Sequence, residues 1–188
     1  MHWVVKDIRN IQPRRADKFC LLDVGTGSGC IPIAIKKQLP AHLVTAVDIS
    51  EQVLEVARRN ASEQQVQVTF VQLDFLNPRD RANLETFDVI TSNPPYIKES
   101  EAATMANNVV QYEPGIALFV TDEDPLVFYK ALAHFAQDHL ASKGSLYLEI
   151  NEALGNGVAE LLYNYGFKEV ELRKDLQGKD RMVRGRFR

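Results

Sequence analysis

The sequence predicts an α/β domain with a doubly wound, mostly parallel sheet that ends in an antiparallel hairpin. Three observations carry this. A glycine-rich turn joins an apolar strand-like run to a helical run, at Gly25-Thr26-Gly27-Ser28-Gly29. Strand-like and helix-like segments then alternate as far as Ser92. Two short β-prone runs around a turn at Gly178 close the chain.

The first strand is expected over 19–24, an apolar run ending Asp23-Val24. The helix after the glycines is expected over 30–39, with apolar residues at helical spacing, Lys36 and Lys37 near its end and Pro40 beyond it. Gly25 and Gly27 suit a tight turn and close ligand approach, and the helix start offers free amide donors. Such a turn lies at the carboxyl edge of a sheet, where open α/β sheets bind ligands.

A second strand, 43–48, ends in Asp48. That acid follows the glycines by about the 20 residues expected of a ribose-binding carboxylate. Its alternative role is an N-cap for the helix at 51–60, a position that Ser50 fills better. A third strand is expected over 66–73, followed by Asp74-Phe75; Phe75 also reads as an ordinary core aromatic.

The fourth strand, 87–92, runs into Asn93-Pro94-Pro95-Tyr96. Proline fixes φ and removes backbone donors, leaving carbonyls to accept. Such a loop can hold a planar NH2 group, with the Asn93 side-chain oxygen and the Pro94 carbonyl taking its two hydrogens and Tyr96 stacking on its plane. The competing reading is a Pro-Pro turn with a core tyrosine. The polar stretch 98–124 reads as a binding loop or lid. Beyond it come a helix to about residue 140, a turn at Lys143-Gly144, a strand over 145–150, a helix over 152–165 closed by Gly166, and the hairpin 167–173 with 180–187.

Composition bounds the function. The chain has 188 residues and 45% hydrophobic content, enough for one domain with a sizeable core. Its formal charge is −3, and the pI is about 5.8. A mildly acidic balance disfavours nonspecific nucleic-acid binding. No apolar run is long enough to span a membrane and no signal peptide is visible. Cys20 and Cys30 fall in apolar elements and read as small buried residues of a reducing, cytoplasmic setting. The four histidines are scattered, and no metal site is expected.

Spaced as Gly25-x-Gly27-x-Gly29 after Asp23, the glycines resemble the first motif of the S-adenosylmethionine-dependent methyltransferases rather than a dinucleotide fingerprint. The resemblance implies a class I methyltransferase fold. It places Asp23 and the loop, including Thr26 and Ser28, near the methionine end of the cofactor, Asp48 on the ribose, and Asp74 and Phe75 around the adenine.

Further motifs narrow it: Asn93-Pro94-Pro95-Tyr96-Ile97, then Tyr112-Glu113-Pro114 with Ala117-Leu118, then Gly144-Ser145-Leu146-Tyr147-Leu148-Glu149-Ile150, then Asp175-x-x-Gly178-x-Asp180-Arg181 with Gly185-Arg186. From about Phe19 to Arg188 the chain resembles the HemK family, protein-(glutamine-N5) methyltransferases that modify the Gly-Gly-Gln motif of peptide chain release factors. This implies S-adenosylmethionine as cofactor, S-adenosylhomocysteine as product and a release factor as protein partner. Asn93, Pro94 and Tyr96 would be catalytic, and Asn93 to Tyr96 would bind substrate. Glu113 and Glu149 could line the site or serve as loop anchor and capping acid.

The family carries an N-terminal helical domain and a Pro-Arg-x-Glu-Thr-Glu-like segment that are not in this sequence. Residues 1–8 resemble the tail of the helix after that segment. A catalytic-domain fragment or truncated variant is therefore expected, with weak binding of the release factor. Two other readings stand beside this one: an adenine-N6 methyltransferase acting on DNA or RNA, and a nucleotide-binding module without catalysis.

Overall fold

A computed structural model describes residues 2–9, 18–95, 97–98, 119–120 and 124–187. Seven strands form one sheet in the order β3-β2-β1-β4-β7-β9-β8. β1 (Cys20–Val24), β2 (Leu43–Asp48), β3 (Thr69–Gln72), β4 (Phe87–Ser92) and β7 (Leu140–Glu149) run parallel. β9 (Asp180–Arg186) is antiparallel to both β7 and β8 (Glu169–Lys174), so the closing hairpin enters the sheet through its second strand. β5 (Ile97–Lys98) and β6 (Phe119–Val120) form a separate two-strand parallel pair.

Among the described residues the helices are α1 (His2–Arg9), α2 (Cys30–Gln38), α3 (Glu51–Glu63), the single turn α4 (Pro78–Arg81), α5 (Val127–His139) and α6 (Gly155–Asn164). Two apolar cores follow from the pleat. One packs Leu22, Ile90, Leu146 and Leu148 with Tyr129, Leu132 and Phe135 of α5 and Leu162 of α6. The opposite one packs Leu21, Val89 and Tyr147 against Trp3, Val4 and Ile8 of α1 and Ile35 of α2. Helices on both faces of a parallel sheet explain why β1 and β4 are buried at every position.

The differences from expectation are local. β3 covers four residues rather than the expected eight, because this edge strand has only β2 to pair with, from Thr45↔Thr69 to Asp48↔Gln72. The 152–165 segment opens as a 3-10 turn, Glu152–Leu154, before α6. The expected turn at Lys143-Gly144 lies inside β7, where the pairing with β4 jumps from Phe87↔Leu140 to Val89↔Ser145. Cys20 is buried as expected, but Cys30 is exposed, because it is the first residue of α2 and sits beside the glycine turn.

Candidate active site at the carboxyl edge

The strand order reverses between β1 and β4, and the glycine turn and the Asn93 loop leave the sheet side by side at that point. After β1 the chain turns on three positive-φ glycines: Gly25 (66°), Gly27 (55°) and Gly29 (81°). The Gly25 and Thr26 amides donate to the Val47 carbonyl at 2.9 and 3.1 Å, pinning the turn to β2. From α3, Asn60 Nδ2 donates to the Ser28 carbonyl at 2.9 Å. A Cβ on Gly25 or Gly27 would meet nothing within 4 Å, so the loop borders open space. Gly29 caps α2 with no side-chain hydrogen bond, leaving first-turn amides as donors.

Asp48 braces this turn. Its Oδ2 accepts from the Gly27 amide at 2.9 Å and its Oδ1 from the Ser50 amide at 3.1 Å. Each oxygen keeps a lone pair for a further donor. The N-cap of α3 is Ser50, whose hydroxyl accepts from the Val53 amide at 3.4 Å. Beside Asp48, Ile49 is 48% exposed, an apolar surface at the carboxyl edge of β2.

Asp23 is 1% exposed. Thr91, directly opposite on β4, donates to its Oδ1 at 2.6 Å. Its Oδ2 and the Thr26 hydroxyl are buried and find no partner among the described residues. Burial raises the Asp23 pKa to about 6; the Thr91 and nearby Thr26 hydroxyls oppose this, and the Asp48 carboxylate adds to it. A buried carboxylate favours a cationic partner.

Asp74 and Phe75 follow β3. Asp74 Oδ1 accepts from the Leu76 amide at 2.9 Å, closing a local turn. The Phe75 ring is 5% exposed and belongs to the core, edge-on to Phe135 at 5.2 Å with the Arg81 guanidinium 5.1 Å from its centre. The ring thus lies in the core, the position its ordinary aromatic role would give it. Arg81 is itself 7% exposed and donates to the Phe75 carbonyl at 2.7 Å.

Asn93 is exposed, Pro94 buried and Pro95 half-buried. Ser92 anchors the loop by donating to the Val24 carbonyl at 2.8 Å. Tyr96 and Glu113, together with 99–118 and 121–123 of the expected binding loop, lie outside the described residues. Glu149 ends β7, next to β4.

Thr91, Ser92, Ile49 and Arg81 were not singled out in the sequence. The first two are visible only once β1 and β4 are paired, because their partners lie 68 residues away. Ile49 is marked only by an apolar residue standing between Asp48 and Ser50.

A doubly wound sheet with this strand order, an acid-braced glycine turn and a second polar loop across the switch point defines a class I methyltransferase fold. The family profile described as Methyltransferase small domain matches residues 8–113, more than half of the 188 residues. The chain belongs to that family.

Among curated relatives, the release factor glutamine methyltransferase of Flavobacterium psychrophilum is 42% identical over 188 residues, covering 100% of this chain and 65% of that protein. The protein of the same name from Bacteroides thetaiotaomicron is 45% identical over 163 residues, 87% of this chain and 58% of that one. The chain thus spans about three fifths of the length of these relatives. Among solved structures, a methyltransferase from Pyrococcus furiosus aligns with a TM-score of 0.66 at 20% identity, over 99% of this chain and 81% of that one. The hMettl16 catalytic domain in complex with MAT2A 3'UTR hairpin 6 aligns with a TM-score of 0.71 at 17% identity, over 100% of this chain and 68% of that one. These likenesses are of fold.

Among the described residues no cluster of metal-ligating side chains occurs, and no helix is long and apolar enough to cross a membrane.

Proposed function

We propose that this chain methylates the side-chain amide nitrogen of a protein glutamine, that of the Gly-Gly-Gln motif in peptide chain release factors. One observation carries the reading: a buried acid, Asp23, is hydrogen-bonded through Thr91 to the strand that delivers Asn93-Pro94. A cofactor grip and an NH2 grip thereby sit on adjacent strands. The chain's similarity to release factor glutamine methyltransferases supports the choice of substrate.

The residues present fit S-adenosylmethionine. Asp23 supplies a buried carboxylate beside the turn for an ammonium group, and Asp48 retains lone pairs for two ribose hydroxyls. Ile49 gives a base an apolar surface, and the Asp74 turn follows the neighbouring strand β3. The open face above Gly25 and Gly27 leaves room along the loop, with Ser28 and Gly29 leading into α2. When bound, this cofactor supplies an electrophilic methyl group on a sulfonium.

The protein's own work is on the acceptor. A carboxamide nitrogen is a weak nucleophile because its lone pair is delocalised into the carbonyl. Asn93 Oδ1 and the Pro94 carbonyl accept its two N–H bonds, fix its direction and favour positive charge developing on nitrogen. Tyr96 takes the plane of the amide. The surplus proton leaves to water, so no histidine or cysteine is required. Pro95, without an amide hydrogen, keeps the loop carbonyls from being claimed by the backbone.

The test is mass spectrometry of a release factor incubated with the chain and S-adenosylmethionine. A gain of one methyl on the Gly-Gly-Gln glutamine is expected. Asn93→Ala should lower turnover by about 10²–10³ with cofactor affinity nearly intact, the usual cost of one preorganised electrostatic partner. Near wild-type turnover in that variant would leave the loop a structural turn.

A further inference from the structure

The single turn α4 holds a buried charge that the reaction above does not use. Arg81 is 7% exposed and is the one buried residue of α4. Burial lowers its pKa, and the Asp74 carboxylate opposes that. A buried guanidinium is costly unless its donors are engaged. Here Nη1 donates to the Phe75 carbonyl at 2.7 Å, and the guanidinium lies 5.1 Å from the centre of the Phe75 ring. Both contacts fall on the turn that connects β3 to α4.

That turn joins the cation to a carboxylate. The Phe75 carbonyl and the Leu76 amide are the two ends of one planar peptide unit. Arg81 holds the carbonyl end, and the amide end donates to Asp74 Oδ1 at 2.9 Å. A cation on the carbonyl makes the N–H at the other end a stronger donor. Two more contacts fix the backbone of Asp74. Asp80 Oδ2 accepts from its amide at 3.4 Å, and the Asn77 amide donates to its carbonyl at 3.1 Å. Asp74 is half-buried, and its Oδ2 neither meets a donor among the described residues nor is closed off. The turn also stands beside β2. The Leu73 amide donates to the Asp48 carbonyl at 3.0 Å, and Gln72 Nε2 donates to the Ile49 carbonyl at 3.1 Å.

We propose that Arg81 is a positioning residue for the cofactor's base. Through the peptide unit between Phe75 and Leu76 it holds the Asp74 carboxylate with one oxygen outward, where it accepts from an exocyclic amino group. It thereby sets a preference for adenine over hypoxanthine, whose carbonyl oxygen at that place would face the carboxylate. The inference rests on the reading of Asp48, Ile49 and Asp74 as the nucleoside end of an S-adenosylmethionine site.

Calorimetry with S-adenosylhomocysteine and S-inosylhomocysteine reads this preference. The wild-type chain should bind the adenine ligand at least about tenfold more tightly, the worth of one hydrogen bond to a charged acceptor. Arg81→Met removes the charge and should bring the two ligands within about threefold of each other. In an Asp74→Asn background the same change should leave the ratio where it is, because the route runs through that carboxylate. Gly144→Ala crowds β7 away from the turn and should keep the wild-type preference, which separates positioning from loss of stability. Equal wild-type affinities overturn the proposal whether or not the Met variant folds. So does a wild-type preference retained in Arg81→Met, a further shift in the Asp74→Asn background, or an equal loss in Gly144→Ala. Methylation of the glutamine is scored alongside. A wild-type chain that binds neither ligand sinks the cofactor reading as well, whereas methylation with a preference indifferent to Arg81 sinks this inference alone.

Discussion

Burial holds the Asp23 carboxyl at a pKa of about 6, so the folded chain binds a proton more tightly there than the unfolded chain, with its ordinary value of 3.8. Stability from this group therefore falls as pH rises from about 4 to about 6 and levels off above. The ligand-free urea midpoint should rise between pH 7 and pH 5 by a contribution that Asp23→Asn lacks. A cationic ligand reverses the sign, because it needs the carboxylate; cofactor affinity should tighten as pH rises through 6, and a flat calorimetric profile would remove the ammonium contact. Asp48→Ala should weaken cofactor by about 1.5–3 kcal/mol, the range for hydrogen bonds to charged groups. Asp48 ends β2 as the sequence suggested, Asp23 lies one residue inside β1 and Asn93 one residue past β4. Thr91 was not legible, since nothing in its neighbourhood announces a partner 68 residues earlier.

Elements were read well where their periodicity was long. β1, β2, β4, α2 and α3 fall within a few residues of expectation. α4 escaped because a single turn has no period, although Asn77 caps it and Pro78 opens it. The jump inside β7 escaped because a bulge leaves alternation nearly intact on either side. Gly144 sits in that irregularity, and a Cβ there would lie 2.7 Å from Leu140 Cδ1 and 2.9 Å from the Asp88 and Ala141 carbonyl oxygens. Two of those atoms are backbone and cannot step aside. Gly144→Ala should cost about 1–3 kcal/mol in urea unfolding. At Gly29 the strain adds to contact: φ is 81° and a Cβ would approach Ile33 Cδ1 to 3.0 Å and Ala57 Cβ to 3.2 Å. Gly29→Ala should lower the thermal midpoint and distort the glycine turn together.

Across the whole molecule, the sheet order was the least legible feature, since pairing of β7 with β9 rather than β8 is settled by contacts far apart in sequence. α1 contributes to the same point. Its Asp7 accepts from Tyr147 at 2.7 Å and pairs with Arg184 and Arg186 of β9, while the Arg173 guanidinium lies 3.9 Å over the Trp3 ring. Eight residues of helix are thus tied to three strands. The Tyr147 and arginine contacts hold the Asp7 carboxyl below its usual value against the cost of its burial. Its contribution is present above about pH 4 and lost as pH falls through the lowered value. Asp7→Asn should cost about 2 kcal/mol in urea unfolding at pH 7, because Arg184, largely buried, then keeps only the half-exposed Glu171 as its ion-pair partner, and should shed that acid-side dependence. An unchanged midpoint would make α1 a passive cover.

The two thiols divide the molecule into clocks of different speed. Cys20, 1% exposed, is walled in by β2 and β4, whereas Cys30 opens α2 at the rim of the glycine turn. A thiol reagent should therefore modify the native chain in two phases. The fast phase belongs to Cys30 and should slow when a nucleotide ligand covers the turn. The slow phase belongs to Cys20 and can proceed only as often as the central strands part, so its rate reads the frequency of global opening. Native labelling would then follow occupancy and breathing in one trace, with Cys30→Ser deleting the first phase and leaving the second.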